Sequence, residues 1–225
     1  IPSEQKVIIA CAHRPDKEFE RILESFEQAY GIKILPKYIE LSDEESIHRL
    51  SEELIAEDIR VDILINNAGI ARWNFFQMTK MDDIRSVYDI NLVSHILLTN
   101  LILRDMRANN FGIVVNVSSI SGLMPAPGNS GYGTSKAAVI GWTKELAEEL
   151  EAENIYAFAV APGLSDTRMA GRVEEKAGKN MVMFSAMQRL GEPEEIAEVI
   201  VEGVLHPAVF NGQVIRVDGG ENYGC

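Results

Sequence analysis

Val61-Asp62-Ile63-Leu64-Ile65-Asn66-Asn67-Ala68-Gly69 is an apolar run that stops abruptly on small, polar and turn-forming residues. A run this short, ending in a turn signal, reads as a buried strand with its carboxyl end at the Asn-Asn-Ala-Gly cluster. Working outward, short apolar runs alternate with longer amphipathic ones. Upstream lie a strand from Lys6 to Ala12, a helix from Asp16 to Tyr30, a strand from Lys33 to Glu40 and a helix from Asp43 to Glu57. Downstream the pattern predicts a long helix from Asp82 to Arg107, a strand from Gly112 to Val117 and a helix from Gly131 to Glu151. A strand from Ile155 to Ala161, a helix from Pro193 to Leu205 and a strand from Gln213 to Val217 complete it. Strands separated by helices imply an α/β fold, a doubly wound, mostly parallel sheet covered on both faces.

With 225 residues, 46% of them hydrophobic, the chain can bury one sizeable core, so residues 1–225 are expected to form a single domain. No low-complexity tract, linker or fixed-period repeat interrupts it. The formal charge of −13 and pI of about 4.8 argue against nucleic-acid and anionic-membrane partners, because phosphate binding needs clustered Lys and Arg. Cys11 and Cys225 lie near opposite ends with no metal-ligand spacing, and Cys11 falls in an apolar run typical of a buried strand. No metal site is expected. A reducing compartment suits the cysteines, no apolar run is expected to reach membrane-spanning length, and the start shows no secretion signal, so the expected location is the cytoplasm.

Ligands of open parallel sheets bind at the carboxyl ends of the strands. Asn66 to Gly69 follows one strand, Ser118-Ser119 another and Pro162-Gly163 a third, so polar and turn-forming groups gather on one edge. Taken singly, such residues also serve simply to turn the chain. Tyr132 and Lys136 are four apart in a helical stretch, hence on one face, with Ser119 thirteen residues before the tyrosine and Asn91 further upstream. A free phenol titrates near ~10 and is a poor acid or base at neutral pH, so it needs a nearby cation and hydrogen bonds to its ionised form. Lys136 can supply the cation.

In order, Asn66-Asn67-Ala68-Gly69, Asn91, Ser119, Tyr132 with Lys136, and Pro162-Gly163 ending in Thr167 resemble the short-chain dehydrogenase/reductase family. Arg189-Leu190-Gly191-Glu192-Pro193 and Val217-Asp218-Gly219-Gly220 resemble the closing segments of members related to 3-oxoacyl-[acyl-carrier-protein] reductase. The resemblance implies a Rossmann-like, NADPH-dependent oxidoreductase of fatty acid biosynthesis that reduces the carbonyl of a small-molecule or acyl-carrier-linked substrate. Tyr132 would be the general acid and Ser119 a donor to the carbonyl oxygen. Lys136 would lower the tyrosine pKa and bind ribose, and Asn91 would anchor a water linking the lysine to solvent. Asn67, Ala68 and Gly69 would line the adenine-ribose side, and Pro162, Gly163 and Thr167 would border the nicotinamide. At the end of the first strand, Ala12-His13-Arg14 puts an arginine where a 2′-phosphate would bind, favouring NADPH over NADH; the alternative is a solvated residue opening the next helix. The long helix and the Tyr132 helix resemble those that pair subunits in family dimers and tetramers.

The resemblance starts at what is similar to the family's second strand. The first βα unit, with its Gly-rich phosphate turn, is therefore expected to be missing from residues 1–225, and neither Ala12-His13-Arg14-Pro15-Asp16 nor Gly219-Gly220 with Gly224 replaces it. An incomplete amino end, processing, and true loss of dinucleotide binding are all open readings. With the last of these, a noncatalytic dinucleotide-sensing or scaffold protein on the same fold is the alternative function. Leu164 to Gln188, with Met169, Met181, Met183 and Met187, looks like the variable lid that closes over substrate.

Overall fold

The computed structural model describes residues 7–167 and 185–220, in two compact units, Ile1–Ile59 and Arg60–Cys225. Cys225, Gly224, Met169, Met181 and Met183 lie outside the described residues.

In the first unit, β1 (Val7–Ala12) pairs in parallel with β2 (Lys33–Tyr38), with Val7 opposite Lys33. Helix α1 (Lys17–Tyr30) makes the crossover. Asp16 caps its start by accepting from the Glu18 N–H, and Gly31 ends it in the left-handed region at φ 63°, a conformation open to glycine without strain. Helix α2 (Glu44–Ala56) is capped the same way by Asp43 and buries Ile47, Leu50 and Leu54. Cys11 is exposed, contrary to the buried position its apolar neighbours predict, because β1 alternates between faces and only part of each is covered.

The second unit holds a four-stranded parallel sheet in the order β3 (Ile63–Asn66), β4 (Gly112–Val117), β5 (Ile155–Pro162), β6 (Val214–Val217). Its register sets Asn66 beside Asn116, Val117 beside Val160 and Pro162 beside Val217, so the carboxyl ends share one edge. Alternation divides the side chains between two faces. Ile113, Val115, Phe158 and Val160 form a core on which Ile196, Val199, Ile200 and Val204 of α6 (Pro193–Leu205) pack, with Phe210 of α7 (Pro207–Phe210). The opposite face meets α4 (Ser94–Asn109) and α5 (Ser130–Leu150). Their contacts are partly polar: Asn66 Nδ2 donates to Thr99 Oγ1 and Asn116 Oδ1, and Asn116 Nδ2 donates to Thr143 Oγ1, all buried. Both faces are thus covered over β4 and β5, as in a doubly wound sheet, whereas Ile63 and Ile65 of β3 are exposed.

The predicted long helix is α3 (Met81–Tyr88), a π-helical turn at Asp89–Val93, and α4. By length and composition this run, Met81–Asn109, is apolar enough to cross a membrane, with mean hydropathy 1.3 over its most apolar window. The sequence reading overlooks this because Asn91, Ser94, His95 and Thr99 break the apolar pattern; all four are buried within the second unit.

Candidate active site

Strand β4 is the best buried strand of its sheet, and it delivers Ser118 and Ser119 at the carboxyl edge. Ser118 N–H continues the ladder onto Val160 O at 2.8 Å, while its hydroxyl donates to Lys136 O at 2.8 Å, tying the strand end to α5. The chain then makes a tight 3₁₀ turn at Ile120–Gly122, where Ser119 Oγ accepts from Ser121 N–H at 3.1 Å. The backbones of this turn and of α5 touch. A Cβ on Gly122 would sit 2.7 Å from the Lys136 carbonyl carbon, and one on Gly133 would sit 2.8 Å from Ser121 O. Glycine at both positions lets the helix approach the strand end closely enough for a serine and a tyrosine to meet.

Helix α5 buries Tyr132, Ser135, Lys136, Val139, Ile140, Thr143, Leu146, Ala147 and Leu150, a stripe at spacings of three and four. Tyr132 and Lys136 therefore open the buried face, at 8% and 3% exposure. Lys136 Nζ lies 5.9 Å from the centre of the tyrosine ring and donates to Val117 O at 2.8 Å. Burial pushes the Tyr132 phenol above its ordinary range, and the hydrogen bond with Ser119 pulls it partly back. The lowering expected from Lys136 is not among the causes of the shift; desolvation is the largest, and it leaves the phenol protonated at neutral pH, the form a general acid needs. Burial also lowers Lys136 to about 8.

Asn91 is fully buried at the centre of the π turn. Its Nδ2 donates to Ile70 O at 2.9 Å and to Ser135 Oγ at 3.1 Å, and its Oδ1 accepts from Ile70 N–H at 2.8 Å. Both amide protons are thus engaged, and Ser135 passes the link on to Tyr132 O at 2.7 Å. π turns often mark functional sites, because one extra residue re-aims a side chain. Gly69 completes the enclosure: a Cβ there would stand 3.2 Å from Asn91 Oδ1 and 3.4 Å from Lys136 Nζ. Asn67 and Ala68 are exposed beside it at the end of β3. Pro162 ends β5, Gly163 N–H bonds to Val217 O at 2.9 Å, and exposed Thr167 donates to Ser165 O at 3.3 Å. Arg14 is an exposed residue of the first unit, between β1 and Asp16.

Sequence reasoning placed Ser118 and Asn66 at strand ends without assigning their bonds, and missed Ser135, Asn116 and Thr143. The available signal was polar residues at core positions of a strand and of one helix face. It also missed His95, 3% exposed, which bonds to the Asn91 backbone and which burial, reinforced by the Lys136 charge, lowers to about 4.

The unfolded chain takes up the His95 proton near its usual 6.5 and the folded protein only near 4, so stability falls as pH drops through that window. The expected loss between pH 7 and pH 4 is about 3 kcal/mol, and His95→Leu should remove it from urea unfolding curves. For Lys136 the folded value of about 8 lies below the usual 10.5, so its buried charge destabilises fully below pH 8 and ceases to above 10.5. Lys136→Met is expected to raise unfolding stability at pH 7 by about 2 kcal/mol while abolishing turnover, with the gain vanishing near pH 10.5.

Residues 3–178 match the family model for short chain dehydrogenases. The chain is 36% identical over 197 residues to the 3-oxoacyl-[acyl-carrier-protein] reductase FabG of Thermotoga maritima, covering 86% of this chain and 80% of that protein. The enzyme of the same name from Aquifex aeolicus is 36% identical over 200 residues, 88% and 81% of the two chains. An acetoacetyl-CoA reductase from an Acinetobacter species is 35% identical over 182 residues, 80% and 73%.

Proposed function

Because the chain belongs to the short-chain dehydrogenase family, an oxidoreductase family that reduces carbonyls with a nicotinamide dinucleotide, we propose that it reduces a 3-oxoacyl thioester to the 3-hydroxy product. The observation that carries this is the burial of the Tyr132 phenol next to Ser119 at a strand end, with Lys136 Nζ 5.9 Å from the centre of its ring. Similarity to reductases of acyl-carrier and coenzyme A thioesters supports the substrate class.

The residues fit the nicotinamide-ribose half of the cofactor. One proton of Lys136 Nζ goes to Val117 O, which leaves two donors on the side where Gly69 withdraws its bulk. Lys136 would hold the ribose hydroxyls, Asn67, Ala68 and Gly69 the adenine-ribose side, and Pro162, Gly163 and Thr167 the nicotinamide side. When bound, the reduced cofactor supplies the hydride. The protein's own part is to orient the carbonyl oxygen with the Ser119 hydroxyl and to deliver the Tyr132 proton to it as charge develops. Burial keeps that proton on the phenol until an oxyanion forms, and Lys136 then offsets the phenolate. Asn91 would serve the refilling of this proton through water at the remaining lone pair of Oδ1.

We further propose NADPH as the cofactor, through Arg14 and a 2′-phosphate, a cytoplasmic location without nucleic-acid or membrane partners, and a homodimeric or homotetrameric assembly. The test is NADPH and NADH oxidation with 3-oxobutanoyl thioesters, run with Arg14→Ala. Turnover with either cofactor supports the reductase. Equal use of both by the parent protein would remove the NADPH assignment, and no turnover with any thioester or ketone would favour a noncatalytic dinucleotide sensor.

A further inference from the structure

The segment between Ser119 and Tyr132 carries a polar side chain that the proton-transfer chemistry does not use. Asn129 stands at the cap position of α5, where an asparagine ordinarily turns its side-chain oxygen onto the first free N–H groups of the helix. Here it makes no such cap. Its backbone is fully engaged, N–H to Ala126 O at 3.2 Å and C=O from Gly133 N–H at 2.7 Å. Its side chain, only 3% exposed, leaves both Nδ2 and Oδ1 without a partner. A buried carboxamide with neither end satisfied is a costly arrangement, and one that a ligand can relieve.

Asn129 lines a groove of about 530 Å³ together with Phe75, Phe76, Leu123, Met124 and Pro125. Phe75 is 59% exposed, Phe76 72% and Leu123 41%, so the groove has an open apolar rim above one buried amide. The groove adjoins the reacting groups along the chain: Ser121 and Gly122 line it just after Ser119, and Gly133 just after Tyr132.

From these observations, and resting on the reductase reading above, we infer that the groove binds the arm of the substrate thioester, with Asn129 recognising a secondary amide in that arm. A carboxamide offers a donor and an acceptor side by side, and another amide satisfies both while its flanking methylenes lie on the phenyl rings. Position agrees with this. Asn129 precedes Tyr132 by three residues, roughly 5 Å along the axis, and the six bonds from the reacting carbonyl carbon to the amide nitrogen extend to about 8 Å, a span of the same order once the reach of the two side chains is added. Asn129 is a positioning and specificity residue in this arrangement and does not touch the proton in flight.

The test compares two substrates of equal acyl length in the parent protein and Asn129→Leu: the 3-oxobutanoyl thioester of N-acetylcysteamine, which carries the amide, and ethyl 3-oxobutanoate, which lacks it. The expected result is a roughly tenfold drop in the ratio of kcat/KM for thioester over ester, carried by KM, the size of one lost hydrogen bond. The thermal midpoint should hold or rise, because two unsatisfied buried atoms are removed; a residue with a merely structural role would lower it. An unchanged ratio, or a lower midpoint with equal loss on both substrates, overturns the inference. Pantetheine binding, measured calorimetrically on both proteins, separates this from the reductase reading. Binding to the parent that weakens about tenfold in Asn129→Leu sustains the groove even without turnover, and no binding to the parent overturns it even with turnover. A change in sedimentation on substitution would identify the groove as a contact between copies of the chain and overturn it too.

Discussion

Tyr132→Phe is expected to fold as the parent does and to lose turnover by about 10²–10⁴-fold, measured as NADPH oxidation with a 3-oxobutanoyl thioester. Tyr132 is 8% exposed, so the phenyl keeps the packing of the first turn of α5, and only the hydroxyl and its interaction with Ser119 disappear. Removing a buried hydroxyl whose partner remains costs about 1 kcal/mol, too little to unfold a domain of this size. Loss of activity with an unchanged unfolding midpoint therefore isolates the proton. The effect belongs in kcat, because the hydroxyl acts when charge develops on the carbonyl oxygen. Turnover in the variant within tenfold of the parent would falsify the assignment of Tyr132 as the acid.

The largest stability effect is expected from Phe158→Ala, which should destabilise the second unit by about 3–5 kcal/mol in chemical unfolding. Phe158 is fully buried at the centre of β5, beside Ile113, Val115 and Val160, with its ring tilted 55° against Phe210 at 5.7 Å. The ring fills the space left by Gly203 on α6: a Cβ at that glycine would fall 2.3 Å from Phe158 Cζ. The two positions are halves of one fit, and the converse change, Gly203→Ala, should overpack the same spot. The combination Phe158→Leu with Gly203→Ala should recover part of either loss, since neighbouring changes that share a space do not add.

Most elements were legible because their apolar periods are clean. The predicted strand from Gly112 to Val117 and helix from Pro193 to Leu205 match the observed bounds, and the Tyr132 helix differs by one residue at each end. The edge on which Asn66, Ser119 and Pro162 gather also followed from strand order alone. The π turn at Asp89–Val93 was not legible, because an extra residue in a helix leaves composition and propensity unchanged. It is visible only in the backbone, where Ser94 N–H bonds back to Asp89 O, and its effect is the set of bonds that the Asn91 side chain makes with Ile70 and Ser135. The direction of the Tyr132 shift was missed for a different reason. Sequence spacing gives the distance to a cation but not the degree of burial, and here burial prevails. Asn129 carries no distinguishing signal in the sequence, and its unsatisfied amide appears only once its neighbours are placed.

The π turn has a consequence for how the helix run Met81–Asn109 tolerates mutation. One surplus residue advances the helical phase by about 100°, so the buried stripes of α3 and α4 are out of step and each is set by its own neighbours. A substitution scan along the run should give two separate 3.6-residue waves of sensitivity with a discontinuity at Asn91. Deleting a single residue between Asp89 and Val93 would restore one continuous wave, and in doing so would turn Asn91 away from Ile70.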